Sequence, residues 1–322
     1  MSKPILFVTG LGSELQRAEN MNTLYEAYPG EKVFMHIRDL KFLSGSIPYK
    51  HDVMVIDVFP DFHPCTTVMM WHAIQGGKYI GLDEQNDDHI PRYYRHELAE
   101  NMDYIIAAGH GGRDMMSRCT GVPVDRILDF GMPRTDRYIN KKKGDGHTAL
   151  ADKRAYLYVP TFRHWYETPL PMIDWEWFDE QLTDDEIFAV KSHPYGTKVN
   201  LKGFRHIIEI HQMEPSVNYL YDCDVVITDY SSIMFDGYLL KKPCVLFEKN
   251  PGYCRTRGMY LEYPKQYSSR YARNEEQLLE QIRSAKQLTK VEKRCMSYTA
   301  DACDGHSIER IIEFLKEQNG GN

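Results

Sequence analysis

The sequence predicts an α/β protein made of two doubly wound domains with parallel sheets. Three observations support this fold class: a length of 322 residues, a repeated alternation of short apolar runs with helix-compatible segments, and one charged break near the middle. The length suits two domains of about 150 residues, each with its own core. Strands that alternate with helices form parallel sheets. We therefore expect residues 1–145 and 146–322 to fold as separate domains.

Five apolar runs in the first half predict strands that are buried on both faces. They are PILFVTG, DVMVIDVF, TTVMMW, DYIIAAG and RILDFG. Each is about four to eight residues long, is rich in apolar residues and is bounded by Gly, Pro or Asp. Continuous apolar runs of this kind are typical of parallel sheets covered by helices.

The alternation breaks at Lys141–Arg154 and then resumes. The sequence of this segment, KKKGDGHTALADKR, is rich in charge and contains two glycines, so we expect a domain boundary there, with Lys141–Lys143 in a solvated linker. Four further strand-like runs follow it: AYLYVPTF, IFAVKSHP, DVVITD and PCVLFE. The second half thus repeats the pattern of the first.

The chain ends in a segment with helical periodicity, SIERIIEFLKEQ (Ser307–Gln318). Four apolar side chains share one face of this predicted helix: Ile308, Ile311, Ile312 and Leu315. We expect this amphipathic helix to pack on the body of the protein, with packing back on the first domain as one option.

Composition and charge disfavour several classes of protein. The chain is 42% hydrophobic and 26% charged, and no apolar run approaches the roughly 20 residues of a membrane span. The N-terminal MSKPILFVTG indicates a first strand rather than a signal peptide, so we expect a cytoplasmic protein. A net charge of −7 disfavours broad binding to nucleic acid. Seven cysteines without a CxxC pair indicate neither a disulfide framework nor a zinc site.

Polar residues follow three strand runs of the second half. Thr161 and Arg163 follow YLYVP, His193 follows IFAVKS, and Asp229–Ser232 follow DVVIT. Ligands of open parallel sheets bind beyond the carboxyl ends of the strands, so we expect these residues at one edge, facing the cleft between the domains. An arginine there suits a diphosphate because its planar guanidinium stays charged.

The stretch VVITDYSSIMFDGYLLKKP (Val225–Pro243) allows two interpretations. In the first, Ser231 or Ser232 caps the helix that follows. In the second, the helix start binds a phosphate through backbone N–H groups and serine hydroxyls. Asp229 does not suit a phosphate; it caps the helix or accepts a hydrogen bond from a ribose hydroxyl or a backbone N–H.

One histidine of the first half occupies a comparable position. His72 directly follows the strand run TTVMMW, in a segment that reads WHAIQGGK. A histidine there could act as a general base because its pKa lies near working pH. The residues alone do not decide between a general base and a histidine that belongs to the core.

Six motifs, taken together and in order, resemble the CDP-glycerol glycerophosphotransferase family of teichoic acid and capsule biosynthesis. They are WH (Trp71, His72), GMPRTD (Gly131–Asp136), YVPTFR (Tyr158–Arg163), KSHP (Lys191–Pro194), DVVITDYSSIMFDGYLLKKP (Asp224–Pro243) and RTRGMYLEY (Arg255–Tyr263). The resemblance covers roughly residues 66–285 and is closer in the second half.

This resemblance implies the glycosyltransferase-B architecture: two facing Rossmann-like domains, the C-terminal one binding the nucleotide donor and the N-terminal one the acceptor. It implies no cofactor and no bound metal. His72 matches the histidine proposed as the base, and Arg163 and His193 match positions associated with the donor phosphates, which makes these three the expected catalytic residues. The expected donor-binding residues are Thr161, Arg163, Lys191, His193, Thr228, Asp229, Ser231, Ser232, Asp236 and Arg257.

The implied reaction moves glycerol phosphate from CDP-glycerol to an acceptor hydroxyl and releases CMP. A polymeric or lipid-linked acceptor is expected, which leaves peripheral membrane association open. After WH the family usually continues with Gly and then Pro-Leu-Lys, whereas this chain has Ala73 and no proline. The acceptor side is therefore altered, and a single transfer, polymerisation, a capsule acceptor and an acceptor outside cell-wall chemistry all stay open.

Three alternatives compete with this interpretation. A glycosyltransferase could use another nucleotide-activated donor, a nucleotide sugar, on a glycan or on modified bases of nucleic acid, although the net charge disfavours the latter. A nucleotide-sugar 2-epimerase would carry a TDSGG-type turn and paired glutamates, both of which TDYSSIMFD lacks. A non-catalytic relative is disfavoured because His72, Arg163 and His193 are retained.

Overall fold

Two six-stranded sheets organise the chain. The structure, a computed structural model, describes residues 2–10, 19–43, 50–60, 63–77, 100–161, 173–192, 200–212, 214–249 and 259–320. The chain divides into two units, Met1–Ile139 with Tyr298–Asn322, and Asn140–Ser297. All strand pairs are parallel, which confirms the predicted α/β class. No helix within the described ranges is long and apolar enough to cross a membrane.

The sheet of the first unit has the strand order β2-β1-β3-β4-β5-β6. Its strands are β1 (Ile5–Thr9), β2 (Lys32–His36), β3 (Val53–Ile56), β4 (Thr66–Met70), β5 (Tyr104–Ile106) and β6 (Ile127–Leu128). Four helices follow β1, β2, β5 and β6, respectively: α1 (Glu19–Ala27), α2 (Ile37–Leu43), α3 (His110–Thr120) and α4 (Pro133–Tyr138).

The sheet of the second unit has the strand order β12-β11-β10-β7-β8-β9. Its strands are β7 (Arg154–Tyr158), β8 (Glu186–Val190), β9 (Ile207–Glu209), β10 (Val225–Thr228), β11 (Cys244–Phe247) and β12 (Tyr271–Ala272). The helices of this unit are α5 (Trp175–Gln181), α6 (Ser216–Asp222), α7 (Ile233–Leu239) and α8 (Glu275–Ser284). A further helix, α9 (Lys290–Thr299), contains the boundary of the unit at Ser297.

The C-terminal helix, α10 (Ser307–Gln318), belongs to the first unit. Its Ile311 and Leu315 are buried in the core of the first sheet. The ring of Phe314 packs edge-on against that of Tyr104, with 4.9 Å between the ring centroids. The apolar face predicted from the sequence is therefore the face that packs.

The GMPRTD motif fastens this helix. Asp136 accepts a hydrogen bond from the backbone N–H of Ile308 at 2.7 Å, in the first turn of α10. Gly131 has a φ of 86°, and a Cβ atom at this position would lie 2.3 Å from the carbonyl oxygen of Ala302. Only glycine fits this close approach without strain. In this structure, the motif therefore joins the end of the chain to the first sheet.

The charged segment Lys141–Arg154 belongs to the second unit; Lys141, Lys142 and Lys143 are exposed, while other residues of the segment are hydrogen-bonded to that unit. The buried carboxylate of Asp222 accepts hydrogen bonds from three backbone N–H groups of this segment, those of Gly144, Gly146 and Thr148, at 2.8, 3.1 and 2.7 Å. Lys143 pairs with Asp224 at 2.6 Å. These contacts explain why the first unit ends at Ile139, shortly before the expected boundary.

Each of the nine apolar runs predicted as strands contains a strand, whereas β2, β9 and β12 were not predicted. All of β2 is only half-buried, and it begins with a lysine and ends with a histidine. The other two have three and two residues. Together with β6, these three strands are the edge strands of the two sheets. An edge strand needs no continuous apolar run, because one of its sides is not covered by another strand.

A buried carboxylate organises the amino-terminal edge of the second sheet. Glu186, at the start of β8, accepts hydrogen bonds from Tyr156 at 2.6 Å and from the guanidinium of Arg283 at 2.7 and 3.0 Å. Burial acts to raise the pKa of Glu186, but the hydrogen bonds from Arg283, Tyr156 and the Thr183 backbone outweigh it and lower the pKa to about 2. The pair thereby ties β7 and β8 to α8.

We expect Glu186→Gln to lower the free energy of unfolding at pH 7 by about 2 kcal/mol, because it removes the buried carboxylate of an ion pair whose arginine is partly exposed. The contribution is present above the ordinary carboxyl pKa of 4.5 and is lost as the pH falls toward 2, so the difference between variant and wild type should shrink over that range. Urea unfolding across pH values measures it.

The control is Glu280→Gln, which changes an exposed glutamate on the same helix, α8. It should change the free energy of unfolding by less than about 0.5 kcal/mol. Equal effects of the two substitutions would contradict the assigned role of Glu186.

Candidate functional site

The carboxyl edge of the second sheet brings together residues that are distant in sequence. Strands β10, β7 and β8 are neighbours, so the residues that follow them lie side by side. Asp229 directly follows β10, Lys191 directly follows β8, and Thr161 lies just past β7. The strand order reverses between β7 and β10, which is the switch point where open α/β sheets bind ligands. The predicted convergence of these positions on one edge is therefore observed.

Asp229 joins the two strand exits at the switch point. Its Oδ1 accepts hydrogen bonds from the backbone N–H groups of Thr161 at 2.8 Å and Tyr230 at 2.7 Å. Thr228 adds a second link, since its hydroxyl donates to the carbonyl of Val159 at 2.6 Å. Both Asp229 and Thr228 are buried. Of the roles expected for Asp229, the structure therefore shows the hydrogen bond with backbone N–H groups.

The two serines stand at the start of α7 without forming a strong cap. Ser232 occupies the N-cap position, but its side chain makes no capping hydrogen bond. The Oγ of Ser231 accepts from the N–H of Ile233 at 3.4 Å, near the limit for a hydrogen bond. Both residues are half-buried, whereas Asp236 is buried one turn further along α7. The capping interpretation thus explains little of this serine pair.

Lys191 is a buried cation at the same edge. Its side chain is 97% covered, and its Nζ donates to the carbonyl of Gln212 at 2.9 Å. In the described part of the chain, Lys191 forms no ion pair with a carboxylate. Burial lowers the pKa of Lys191 to about 8, although the charge of Glu214 acts in the opposite direction. A buried ammonium of this kind is suited to an anion, since charge inside a protein is normally paired.

A cavity of about 210 Å³ adjoins Lys191 at the exits of β8 and β9. We call it the edge cavity; it is lined by Ser192, Glu209, Ile210, His211 and Gln212. Ser192 is 4% exposed, and its hydroxyl has no hydrogen-bond partner among the residues that the structure describes. Apart from Ser192 in the motif KSHP, these residues were not predicted from the sequence, because a short edge strand gives no signal.

In the first unit, His72 follows β4 on a fixed backbone. Its ring contacts the ring of Trp71 in a tilted arrangement, with 4.5 Å between the centroids. The carbonyl of Trp71 accepts a hydrogen bond from the side chain of Asn20 at 3.1 Å. Asn20 in turn accepts from the backbone N–H of Arg134 at 3.1 Å. His72 is half-buried and lies at the carboxyl edge of its sheet, as predicted.

The altered loop after His72 is anchored by Gln75. The Oε1 atom of this buried side chain accepts a hydrogen bond from the N–H of Ala108 at 3.0 Å, just past β5. Gly76 follows with a φ of 131°. The departure from the family pattern therefore has its own structural support in this chain.

Asp57, which directly follows β3 and is 2% exposed, was not predicted as a site residue from the sequence. Its carboxylate accepts from the hydroxyl of Thr9 at 2.7 Å and from the N–H of Gly10 at 2.9 Å. Burial raises the pKa of Asp57 above its ordinary value. Its position at the end of the run DVMVID was the available signal, since it matches the position of Asp229 after DVVIT.

Three predicted residues, Arg163, His193 and Arg257, lie outside the described residues. Among the described ones, no group of three or more His, Cys, Asp or Glu side chains is arranged to hold a metal ion. The positions that the structure brings together are thus Thr161, Lys191 and Asp229–Ser232, at one edge of the second sheet.

The sequence is similar to those of teichoic acid enzymes from Bacillus. It is 26% identical to the teichoic acid poly(ribitol-phosphate) polymerase of Bacillus spizizenii, over 87% of this chain and 49% of that protein. It is 25% identical to the teichoic acid glycerol-phosphate primase of Bacillus subtilis, over 77% of this chain and 67% of that protein. This chain therefore spans about half the length of the polymerase.

The fold is shared with solved structures. The wall teichoic acid polymerase TagF superposes with a TM-score of 0.76 at 18% identity, over 99% of this chain and 89% of that one. The UDP-GlcNAc 2-epimerase of Methanocaldococcus jannaschii gives a TM-score of 0.60 at 13% identity, over 98% of this chain and 99% of that one. At these identities the likeness concerns the fold alone.

The six sequence motifs lie within a family match that covers most of the chain. The profile of the family described as CDP-glycerol:poly(glycerophosphate) glycerophosphotransferase matches residues 49–317, a longer range than the motifs cover. The chain therefore belongs to the CDP-glycerol:poly(glycerophosphate) glycerophosphotransferase family.

Proposed function

We propose that the protein transfers glycerol phosphate from CDP-glycerol to an acceptor hydroxyl and releases CMP. The observation that carries this proposal is the buried ammonium of Lys191, which stands at the switch-point edge with a carbonyl as its hydrogen-bond partner. A diphosphate would supply the negative charge that this site is suited to bind. The relatives named for polymerising or priming teichoic acid support an alditol phosphate as the transferred group.

In the proposed step, the acceptor oxygen attacks the phosphorus that carries glycerol. The bond from this phosphorus to the bridging oxygen breaks, so CMP leaves with that oxygen. His72 accepts the proton of the acceptor hydroxyl. Lys191 stabilises the charge that builds on the leaving phosphate, together with Arg163 and His193.

The remaining predicted residues take supporting roles in this proposal. Ser231, Ser232 and the backbone at Thr161 meet the donor phosphates, and Arg257 contributes charge to the same pocket. Thr228 and Asp229 hold the strand exits in register, as their hydrogen bonds indicate. The relatives' names support a teichoic-acid-like acceptor and not nucleic acid. The cytoplasmic location and the membrane association stay predictions.

The released nucleotide tests the proposal. The protein is incubated with CDP-glycerol, CDP-ribitol and UDP-N-acetylglucosamine in turn, each with a glycerol-phosphate oligomer as acceptor, and the products are separated by ion-exchange chromatography. We expect CMP, with label from the alditol transferred to the oligomer. Release of UDP from the sugar donor, without CMP from either CDP-alditol, would contradict the proposal in favour of sugar transfer.

The base assignment is tested by His72→Ala. Loss of a general base should lower the rate of transfer by about 10²- to 10⁴-fold. Donor affinity, measured by isothermal titration with CMP, should stay unchanged because the proposed donor residues lie in the second unit. The control is His306→Ala, which removes an exposed histidine of the first unit and should leave both quantities unchanged. Lost donor affinity with undiminished turnover would show that His72 is not the base.

A further inference from the structure

A buried amide links the backbone beside His72 to the GMPRTD motif. Asn20 lies in the first turn of α1 and is 1% exposed. Its Nδ2 donates to the carbonyl of Trp71 at 3.1 Å, and its Oδ1 accepts from the backbone N–H of Arg134 at 3.1 Å. Because one partner can only accept and the other can only donate, they also fix the orientation of the amide. Asn20 thus joins α1, the exit of β4 and the start of α4.

The carbonyl of Trp71 belongs to the peptide unit that connects Trp71 with His72. A peptide unit is planar, so a hydrogen bond that holds its carbonyl restricts the rotation of the whole unit. This rotation sets the direction in which the side chain of His72 leaves the backbone. Since β4 ends at Met70, the carbonyl lies beyond the last residue of the strand. Asn20 therefore fixes the backbone where the strand no longer does.

The ring of Trp71 restricts His72 from a second direction. It contacts the ring of Phe59 with 5.2 Å between the centroids, and the ring of His72 with 4.5 Å. Packing of this kind limits the rotation of the imidazole about its side-chain bonds. The backbone to which the imidazole is attached depends on Asn20 instead.

The other hydrogen bond of Asn20 ends on a fixed support. Arg134 lies in the first turn of α4, where N–H groups have no partner within the helix. The N-cap residue of α4, Met132, offers no side-chain oxygen to them, and Asn20 supplies one. Asp136, two residues further, holds the N–H of Ile308 in α10. The GMPRTD motif is thereby bound on both sides.

Packing alone gives no reason for an amide at this position. The neighbouring residues Met21 and Leu24 of α1 are buried and apolar. Asparagine is a weaker helix former than leucine or methionine, and the hydrogen bonds of a buried amide largely replace hydrogen bonds with water. What asparagine offers in exchange is a donor and an acceptor on one short, rigid side chain.

We propose that Asn20 is a positioning residue for His72, which it holds against the GMPRTD motif through the peptide unit of Trp71. This inference rests on the proposed role of His72 as the base. A general base must lie within about 2.6–3.2 Å of the hydroxyl whose proton it accepts, so a small tilt of this peptide unit removes the imidazole from reach.

Asn20→Ala removes both hydrogen bonds and tests the proposal. We expect kcat for transfer from CDP-glycerol to a glycerol-phosphate oligomer to fall by about 10- to 100-fold, because the base is displaced. The KM for CDP-glycerol should change by less than about twofold, since the proposed donor residues lie in the second unit. Asn20→Ser, whose side chain is too short to span both partners, replaces Asn20→Ala if that variant does not fold.

Asn20→Asp separates the two hydrogen bonds. The carboxylate can still accept from the N–H of Arg134, but it has no donor for the carbonyl of Trp71. We expect kcat to fall as far as in Asn20→Ala. A wild-type kcat in Asn20→Asp would overturn the proposal, because it would show that Asn20 only caps α4.

A double-mutant cycle with His72→Ala distinguishes positioning from a general loss of structure. In the His72→Ala background, Asn20→Ala should lower the residual rate of transfer by less than about twofold, because no imidazole is left to position. A fall as large as in the wild-type background would show that Asn20 only supports the fold, and the base assignment would stand. If His72→Ala itself keeps the full rate, the base assignment fails and the role of Asn20 fails with it.

The matched control is Thr23→Ala, which truncates another buried polar side chain about one turn further along α1. It should keep the wild-type kcat even where urea unfolding shows a similar loss of stability. NMR of protein with ¹⁵N-labelled histidine adds a readout that needs no turnover, with the ring signals of His72 identified by their loss in His72→Ala. Asn20→Ala should shift these signals and Thr23→Ala should not. Unshifted signals in folded Asn20→Ala would contradict the proposal.

Discussion

The carboxylate of Asp229 is the interaction on which the candidate site depends. One oxygen holds the backbone N–H groups of Thr161 and Tyr230, and so joins the exits of β7 and β10 where the strand order reverses. A buried carboxylate that accepts two such hydrogen bonds holds the backbone at both strand exits in place. Tyr263 adds a hydrogen bond from its hydroxyl to the carbonyl of Asp229 at 3.2 Å. Ser231 and Ser232 follow directly in the chain, so these hydrogen bonds also fix where the two serines lie.

The charged groups at this edge, Asp229 and Lys191, have different kinds of hydrogen-bond partner. Asp229, the acidic group that faces the backbone here, accepts hydrogen bonds from two backbone N–H groups and serves the scaffold. Lys191, in contrast, is a buried cation that hydrogen-bonds a carbonyl, and its depressed pKa reflects that environment. Removing water from around a charge strengthens its attraction for an opposite charge. We propose that the burial that makes the Lys191 charge costly in the free protein also favours a bound diphosphate.

The fold was predictable because its signal is periodic and local. Nine strands were predictable as apolar runs, because a strand that is buried on both faces needs apolar residues throughout. Ser307–Gln318 was predictable as an amphipathic helix, because a helix that is buried along one stripe needs apolar residues at helical spacing. The edge strands β2 and β9 lack that constraint and gave no signal. The hydrogen bonds of Lys141–Arg154 were not predictable, because charge alone does not reveal a distant partner, here the carboxylate of Asp222.

The site was predictable in outline for a related reason. Placing Thr161, Lys191 and Asp229 at one edge needed only the rule that parallel strands end together. The hydrogen-bond partners of individual side chains could be identified only from the tertiary structure. Asp57 satisfies Thr9 and Gly10, Gln75 anchors the loop after His72, and the hydroxyl of Ser192 is buried without a partner among the described residues. Composition and spacing carry no information on such pairings.

The most direct test of the central claim, that Lys191 faces the diphosphate of the donor, is the pKa of its ammonium group. NMR of protein with ¹³C-labelled lysine measures this pKa with and without CDP-glycerol. We expect a midpoint of about 8 in the free protein. An adjacent negative charge should raise it by about one to three units in the complex. A midpoint that stays near 8 when the donor is bound would contradict the account.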